Sequence, residues 1–204
     1  MEGAEKMKRF TAFLLCLLLC LPWGARAEER LFTDMDPSSY LYEAAAVLHN
    51  LGLMQGYDDH TFRPDDPITR AEIAAITVRC MGMEQAAKAS AQWNTGFSDV
   101  PVTHWANGYI AVAKSVGVVD GNGDGTFAPD GDVLYEQSVK MLVCALGYGE
   151  DIKKVPDAYP NLYLEQAERI NMTIRAKGKI GETASRGTVA MLVYNTVFAK
   201  IPQT

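Results

Sequence analysis

The sequence predicts an all-α protein: three tandem helix–loop–helix units closed into one pseudo-threefold helical bundle. Three observations lead there. The chain repeats itself at an offset of 65 residues. Each copy holds two apolar-rich segments separated by a loop of Gly, Asp and Pro. A two-helix unit of about 50 residues cannot bury its apolar faces alone, so neighbouring units must complete its core. A linear solenoid is the other way to stack repeats, but three units make a short stack.

The elements follow in chain order. Lys6, Lys8 and Arg9 precede an apolar run over 10–21, and Ala25-Arg26-Ala27 supplies a small-x-small cleavage pattern. This is the pattern of a secretory signal peptide over 1–27, with cleavage expected before Glu28. An uncleaved anchor would need a longer run. Beyond it, the 177 residues 28–204 carry 15 basic and 23 acidic side chains, a net charge of −8. That acidity argues against nucleic acid, which wants a basic face. The 48% hydrophobic content argues against wholesale disorder. Cys80 and Cys144 fall at non-equivalent repeat positions and are expected as buried small hydrophobes, with a disulfide as the alternative.

The first unit (28–83) begins Phe32-Thr33-Asp34-Met35, and the second (97–149) begins Phe97-Ser98-Asp99-Val100. Without gaps, 32–83 and 97–148 share 13 identities in 52 positions, mostly at glycines, Pro64/Pro129, Phe62/Phe127 and turn acids. These are the residues that set backbone shape. A first helix is expected over 40–51, ended by Gly52. Residues 55–67 form a turn-rich loop. Thr69-Arg70-Ala71-Glu72 opens the second helix as a capping box, and Ile73, Ile76, Thr77 and Cys80 follow as one stripe. Residues 84–96 are expected as a linker or connecting helix. An eroded third unit (150–204) keeps Ser185-Arg186-Gly187-Thr188 and a stripe of Val189, Leu192, Val193 and Thr196.

At these residues the pattern resembles the S-layer homology (SLH) family. The resemblance rests on the Phe-x-Asp starts, on Gly56-Tyr57-Asp58-Asp59-His60-Thr61-Phe62-Arg63-Pro64 and its counterpart from Gly121 to Pro129, on Trp105-Ala106, and on Thr69-Arg70-Ala71-Glu72. It implies a bacterial, secreted, non-catalytic module at the cell wall or S-layer. It also implies a secondary cell wall polysaccharide as partner, bearing anionic pyruvylated sugars and held in grooves between units. The family's ligand arginine points to Arg70 and, by position, Arg186. Thr69, Glu72, Gly56 and Trp105 complete the candidate ligand set. The second unit has Leu134-Tyr135-Glu136-Gln137 in place of that motif and the third lacks its acid, so at most two grooves look competent.

The physical case runs beside the resemblance. A helix N-terminus presents free N–H groups to an anion, and an arginine at its first position adds a two-pronged donor. Arg70 is therefore expected to be exposed, so that Arg70→Ala removes wall binding without disturbing the fold; Thr69→Ala should cost about 1 kcal/mol. Gly56 and Gly121 are expected to bring a ligand close to the backbone. Trp105 and Tyr40 could stack on sugars, although a lone aromatic at a helix start is expected in the core. Net acidity opposes long-range steering of an anionic polymer, so binding should rest on local contacts and survive moderate salt.

Other chemistries have less support. Asp120, Asn122 and Asp124 open like a calcium loop and are weak metal candidates, but Gly131 stands where a bidentate Glu is needed. His49, His60 and His104 lack metal spacing, and no nucleophile elbow occurs, so neither an enzyme nor a cofactor is expected. The alternative is a protein-interaction or structural scaffold of the envelope with degenerate glycan sites. It is kept open because no cargo is visible after the three units, unless the chain is a fragment.

Overall fold

The computed structural model describes residues 30–198; the expected signal peptide and its cysteines lie outside them. The described residues are all-α, with eight helices and no strand: α1 (Tyr40–Asn50), α2 (Arg70–Cys80), α3 (Glu84–Ala89), α4 (Asn107–Ser115), α5 (Tyr135–Ala145), α6 (Gly149–Ile152), α7 (Asn161–Arg169) and α8 (Arg186–Phe198). None of them is long and apolar enough to cross a membrane.

The expected capping box of α2 is present. Thr69 Oγ1 accepts from the Glu72 amide at 3.2 Å, and Glu72 Oε2 accepts from the Thr69 amide at 2.8 Å. In α8, Ser185 Oγ accepts from the Thr188 amide at 3.1 Å. Helix α5 is preceded by Leu134, which has no side-chain acceptor, yet Gln137 Oε1 still accepts from the Leu134 amide at 3.2 Å. Half a box survives there.

Helices α2, α5 and α8 touch one another at the centre. Ile73, Leu142 and Leu192 are fully buried among them. Each central helix also packs against an outer one: α2 on α4, α5 on α7, α8 on α1. The residues just before the three central helices close a ring of backbone hydrogen bonds. Ile68 donates to Ala184 (3.3 Å), Ala184 to Val133 (2.9 Å) and Val133 to Ile68 (3.0 Å). Residues 84–96 are more than a spacer. Helix α3 lies on α4 so closely that a Cβ on Gly108 would stand 2.0 Å from the Ala87 carbonyl oxygen.

The Phe-x-Asp starts explain themselves in this frame. Asp34 accepts from the amides of Phe62 (2.8 Å) and Arg63 (2.7 Å), and Asp99 accepts from those of Phe127 (2.8 Å) and Ala128 (2.7 Å). Arg63 and Ala128 both have positive φ, so each carboxylate holds a left-handed residue in place. Phe32 fills the space beside Gly56, where a Cβ would come within 2.5 Å of the ring. Gly56 and Gly121 therefore have a reason internal to the fold to be glycine, since a Cβ at Gly121 would likewise come within 2.5 Å of the Phe97 ring. Cys80 and Cys144 are free thiols, each partly buried.

Candidate functional site

Arg70 is not exposed. It is 9% accessible, Nε donates to the Phe127 carbonyl at 2.7 Å, and Nη1 donates to Gln137 Oε1 at 3.0 Å. Its guanidinium lies over the Phe127 ring, 4.7 Å from the centroid. Burial pushes its pKa below the ordinary arginine value, opposed by the Tyr159 and Asp99 charges. Arg186 repeats the arrangement at 6% accessibility: Nε donates to the Phe62 carbonyl at 3.0 Å and Nη2 to the Gln55 carbonyl at 2.9 Å. Each arginine thus belongs to one helix and clasps the aromatic loop of another repeat. Local periodicity carries no sign of that long-range contact.

The helix N-termini are not free either. The Arg70 and Ala71 amides donate to the carbonyls of Gly131 and Pro129, both at 2.9 Å. The Arg186 and Gly187 amides donate to Asp66 (2.9 Å) and Pro64 (2.7 Å). Backbone carbonyls hold the donors an anion would have used, so the N-terminus reading is corrected. What stays available is guanidinium edge.

Two clefts lie beside the two arginines. The first, of about 270 Å³, brings Arg186 together with Glu72, Gly56, Tyr57, Arg79 and Trp105. The second, also about 270 Å³, holds Arg70 with Gly121, Asn122, Gln137, Lys140 and Tyr159. The candidate set therefore divides. Arg186, Glu72, Gly56 and Trp105 share one cleft, Arg70 stands in the other, and Thr69 is occupied in the cap. The sequence argument missed Gln137, Lys140 and Tyr159.

Trp105 and Tyr40 correct the core expectation. They are 56% and 59% exposed, because their helices begin at the protein surface. Trp105 forms part of the Arg186 cleft. Tyr40 carries the Arg175 guanidinium 3.6 Å from its ring centroid. At α5, Tyr135 stands where the other central helices have arginine, and a Cβ on Gly178 would meet its ring at 2.2 Å. An aromatic plug replaces the guanidinium.

The weak metal candidates have other work. Asp120 pairs with Lys140 (2.9 Å) and Lys153 (3.2 Å). Asp124 accepts from the Thr126 amide at 2.9 Å, and Asn122 Nδ2 donates to Thr126 Oγ1 at 3.0 Å. No group of three or more metal-ligating side chains occurs among the described residues.

Comparison with known proteins places this architecture. The sequence model of the S-layer homology domain matches residues 31–74 and 96–137. The middle cell wall protein of Brevibacillus brevis is 36% identical over 197 residues, covering 94% of this chain and 18% of that protein. The surface layer protein of Brevibacillus choshinensis is 40% identical over 131 residues, 64% of this chain and 11% of its own length. An endoglucanase of a Bacillus species is 29% identical over 126 residues, 62% of this chain and only 13% of the enzyme. The chain spans less than a fifth of each of these relatives. Wall proteins and an enzyme thus share a part that is a small fraction of each, as a module carried by proteins of different kinds would be. The chain belongs to the S-layer homology family.

Proposed function

We propose that the chain is a cell-envelope anchoring module, secreted to the bacterial cell wall or S-layer, that holds an anionic, pyruvylated secondary cell wall polysaccharide in its arginine clefts. One observation carries the reading. Each cleft pairs a buried, pre-oriented arginine with an exposed aromatic from another repeat: Arg186 with Trp105, Arg70 with Tyr159. A guanidinium whose Nε is already fixed by a carbonyl loses little freedom when its remaining N–H groups take a carboxylate or hydroxyl. An aromatic face beside it suits the apolar side of a sugar ring. The same reading takes α7 and α8 as a third unit, with the α5 boundary closed by Tyr135.

The test is fluorescence titration of a Trp93→Phe chain, residues 28–204, in which Trp105 is the sole indole. Fragments of pyruvylated wall polysaccharide should change its emission saturably, and Trp105→Ala should lose most wall binding. Unchanged emission with full wall binding would remove the Arg186 cleft from the account.

A second reading, a protein-docking scaffold, is favoured by a separate cleft of about 620 Å³ between α6 and α7, with Ile152, Val155, Leu162 and Ile170 in its walls. Retention on walls stripped of polysaccharide would support it.

A further inference from the structure

Helices α3 and α6 begin at the same repeat position, Glu84 and Gly149, 65 residues apart. Each follows a central helix and leads to an outer one, but they pack differently. Helix α3 seats on α4 so tightly that Gly108 has no room for a Cβ beside the Ala87 carbonyl. Between α6 and α7 the corresponding junction stays open, as the cleft of about 620 Å³. Ile152, Val155, Leu162 and Ile170 line it, with Asp151 and Glu165 among its polar walls. Apolar wall left uncovered where the sister junction is filled marks a docking surface.

The same unit carries an element shaped to cover it. At the 116-residue offset that takes Arg70 to Arg186, the residues Asp58, Asp59, Thr61, Arg63 and Pro64 become Ile174, Arg175, Lys177, Lys179 and Ile180. An acidic turn has become three cations between two isoleucines, and both isoleucines are half-exposed. The loop is pinned from behind. Phe62 becomes Gly178, against which the Tyr135 ring packs. Thr188 Oγ1 donates to the Lys177 carbonyl, and the Gly181 amide donates to Glu136 Oε2 at 3.0 Å. The Arg175 guanidinium rests on the Tyr40 ring. A loop held this way is pre-organised for a partner and is not free to fold back into its own cleft.

The charges of the two surfaces are opposite. Residues 148–170, which build the cleft, carry five acids and three cations. One of those cations, Lys153, is held by Asp120 of the second unit at 3.2 Å, and Lys154 pairs with Asp151 at 2.7 Å. Residues 171–182 carry three cations and one acid, Glu182, which meets Lys179 at 3.5 Å. Arg175 and Lys177 have no carboxylate within 4.0 Å among the described residues, and neither does Glu165 have a cation.

We propose that the cleft between α6 and α7 seats the 174–180 loop of a second copy of this chain, the two copies exchanging loops about a two-fold axis. Ile170 closes the cleft and Ile174 opens the loop, at most about 14 Å away, so one axis between them makes both contacts at once. Apolar contact between the isoleucines and the cleft floor supplies the attraction, and the opposite charges fix the register. The proposal rests on the docking reading of this cleft and is independent of the glycan reading of the arginine clefts.

The test is sedimentation velocity of the chain 28–204 over micromolar to submillimolar concentration. Two charge reversals are compared with the unaltered chain: Lys177→Glu with Lys179→Glu in the loop, and Glu165→Lys in the cleft. All three side chains are exposed, so the denaturation midpoint should stay put. The unaltered chain should form a dimer that weakens as salt is raised. Each reversal should weaken self-association by at least about tenfold. Mixing the two variants should restore a one-to-one dimer, because the acidic loop then meets the basic cleft while the other contact is native. A dimer that neither reversal weakens, or a mixture that stays monomeric, would overturn the loop-in-cleft assignment. A monomeric unaltered chain would overturn the self-association: retained on walls stripped of polysaccharide, it would leave the cleft to another protein; not retained, it would remove the docking reading as well.

Discussion

Arg70 Nε donates to the carbonyl of Phe127 at 2.7 Å, joining two repeats through a residue that its motif presents as a ligand contact. The same clasp joins Arg186 to Phe62. On the proposed reading, a side chain that fastens one repeat to the next while keeping part of its fork at a cleft would make glycan binding and assembly of the bundle depend on one group.

Arg70→Ala should therefore destabilise the chain. Removing the guanidinium orphans a buried carbonyl, and the expected loss is about 2 kcal/mol. Chemical denaturation checks it: an unchanged midpoint would show that the clasp contributes nothing. Loss of wall binding in this variant alone does not identify a ligand contact.

Asp34→Ala should cost about 3 kcal/mol, since two amides of the Phe62 loop lose a charged acceptor together. Amide exchange should quicken at Phe62 and Arg63 first. Uniform exchange across the chain would mean that the loop is held by something else.

Burial pushes the Cys80 thiol up to about 12, and burial also raises Cys144. The thiolate is the nucleophile, so both should resist iodoacetamide at pH 8 in the folded chain and react on unfolding, where the ordinary thiol value returns. Fast native alkylation of Cys80 at that pH would contradict its placement.

Much of the fold was legible. The Thr69–Glu72 capping box is a local device, spelled within four residues, and it forms as written. The stripe from Ile73 was legible for the same reason, whereas the Phe-x-Asp starts were legible because they recur at the 65-residue offset, since Asp34 acts on the distant amides of Phe62 and Arg63. The site was legible only in part. Trp105 and Tyr40 read as core because helical periodicity counts apolar positions without knowing that these helices begin at a surface. Arg70 read as exposed because the Phe127 loop that covers it lies 57 residues away. Gln137 read as a lost motif, but an amide oxygen keeps the one hydrogen bond the helix start needs.

Co-sedimentation of residues 28–204 with purified native-host walls tests the central claim most directly, with one batch retaining its secondary polysaccharide and one stripped of it. The account predicts pelleting with the intact walls alone, persisting in moderate salt because the contacts are short-range. Equal pelleting with both batches, or with neither from folded protein, would contradict it.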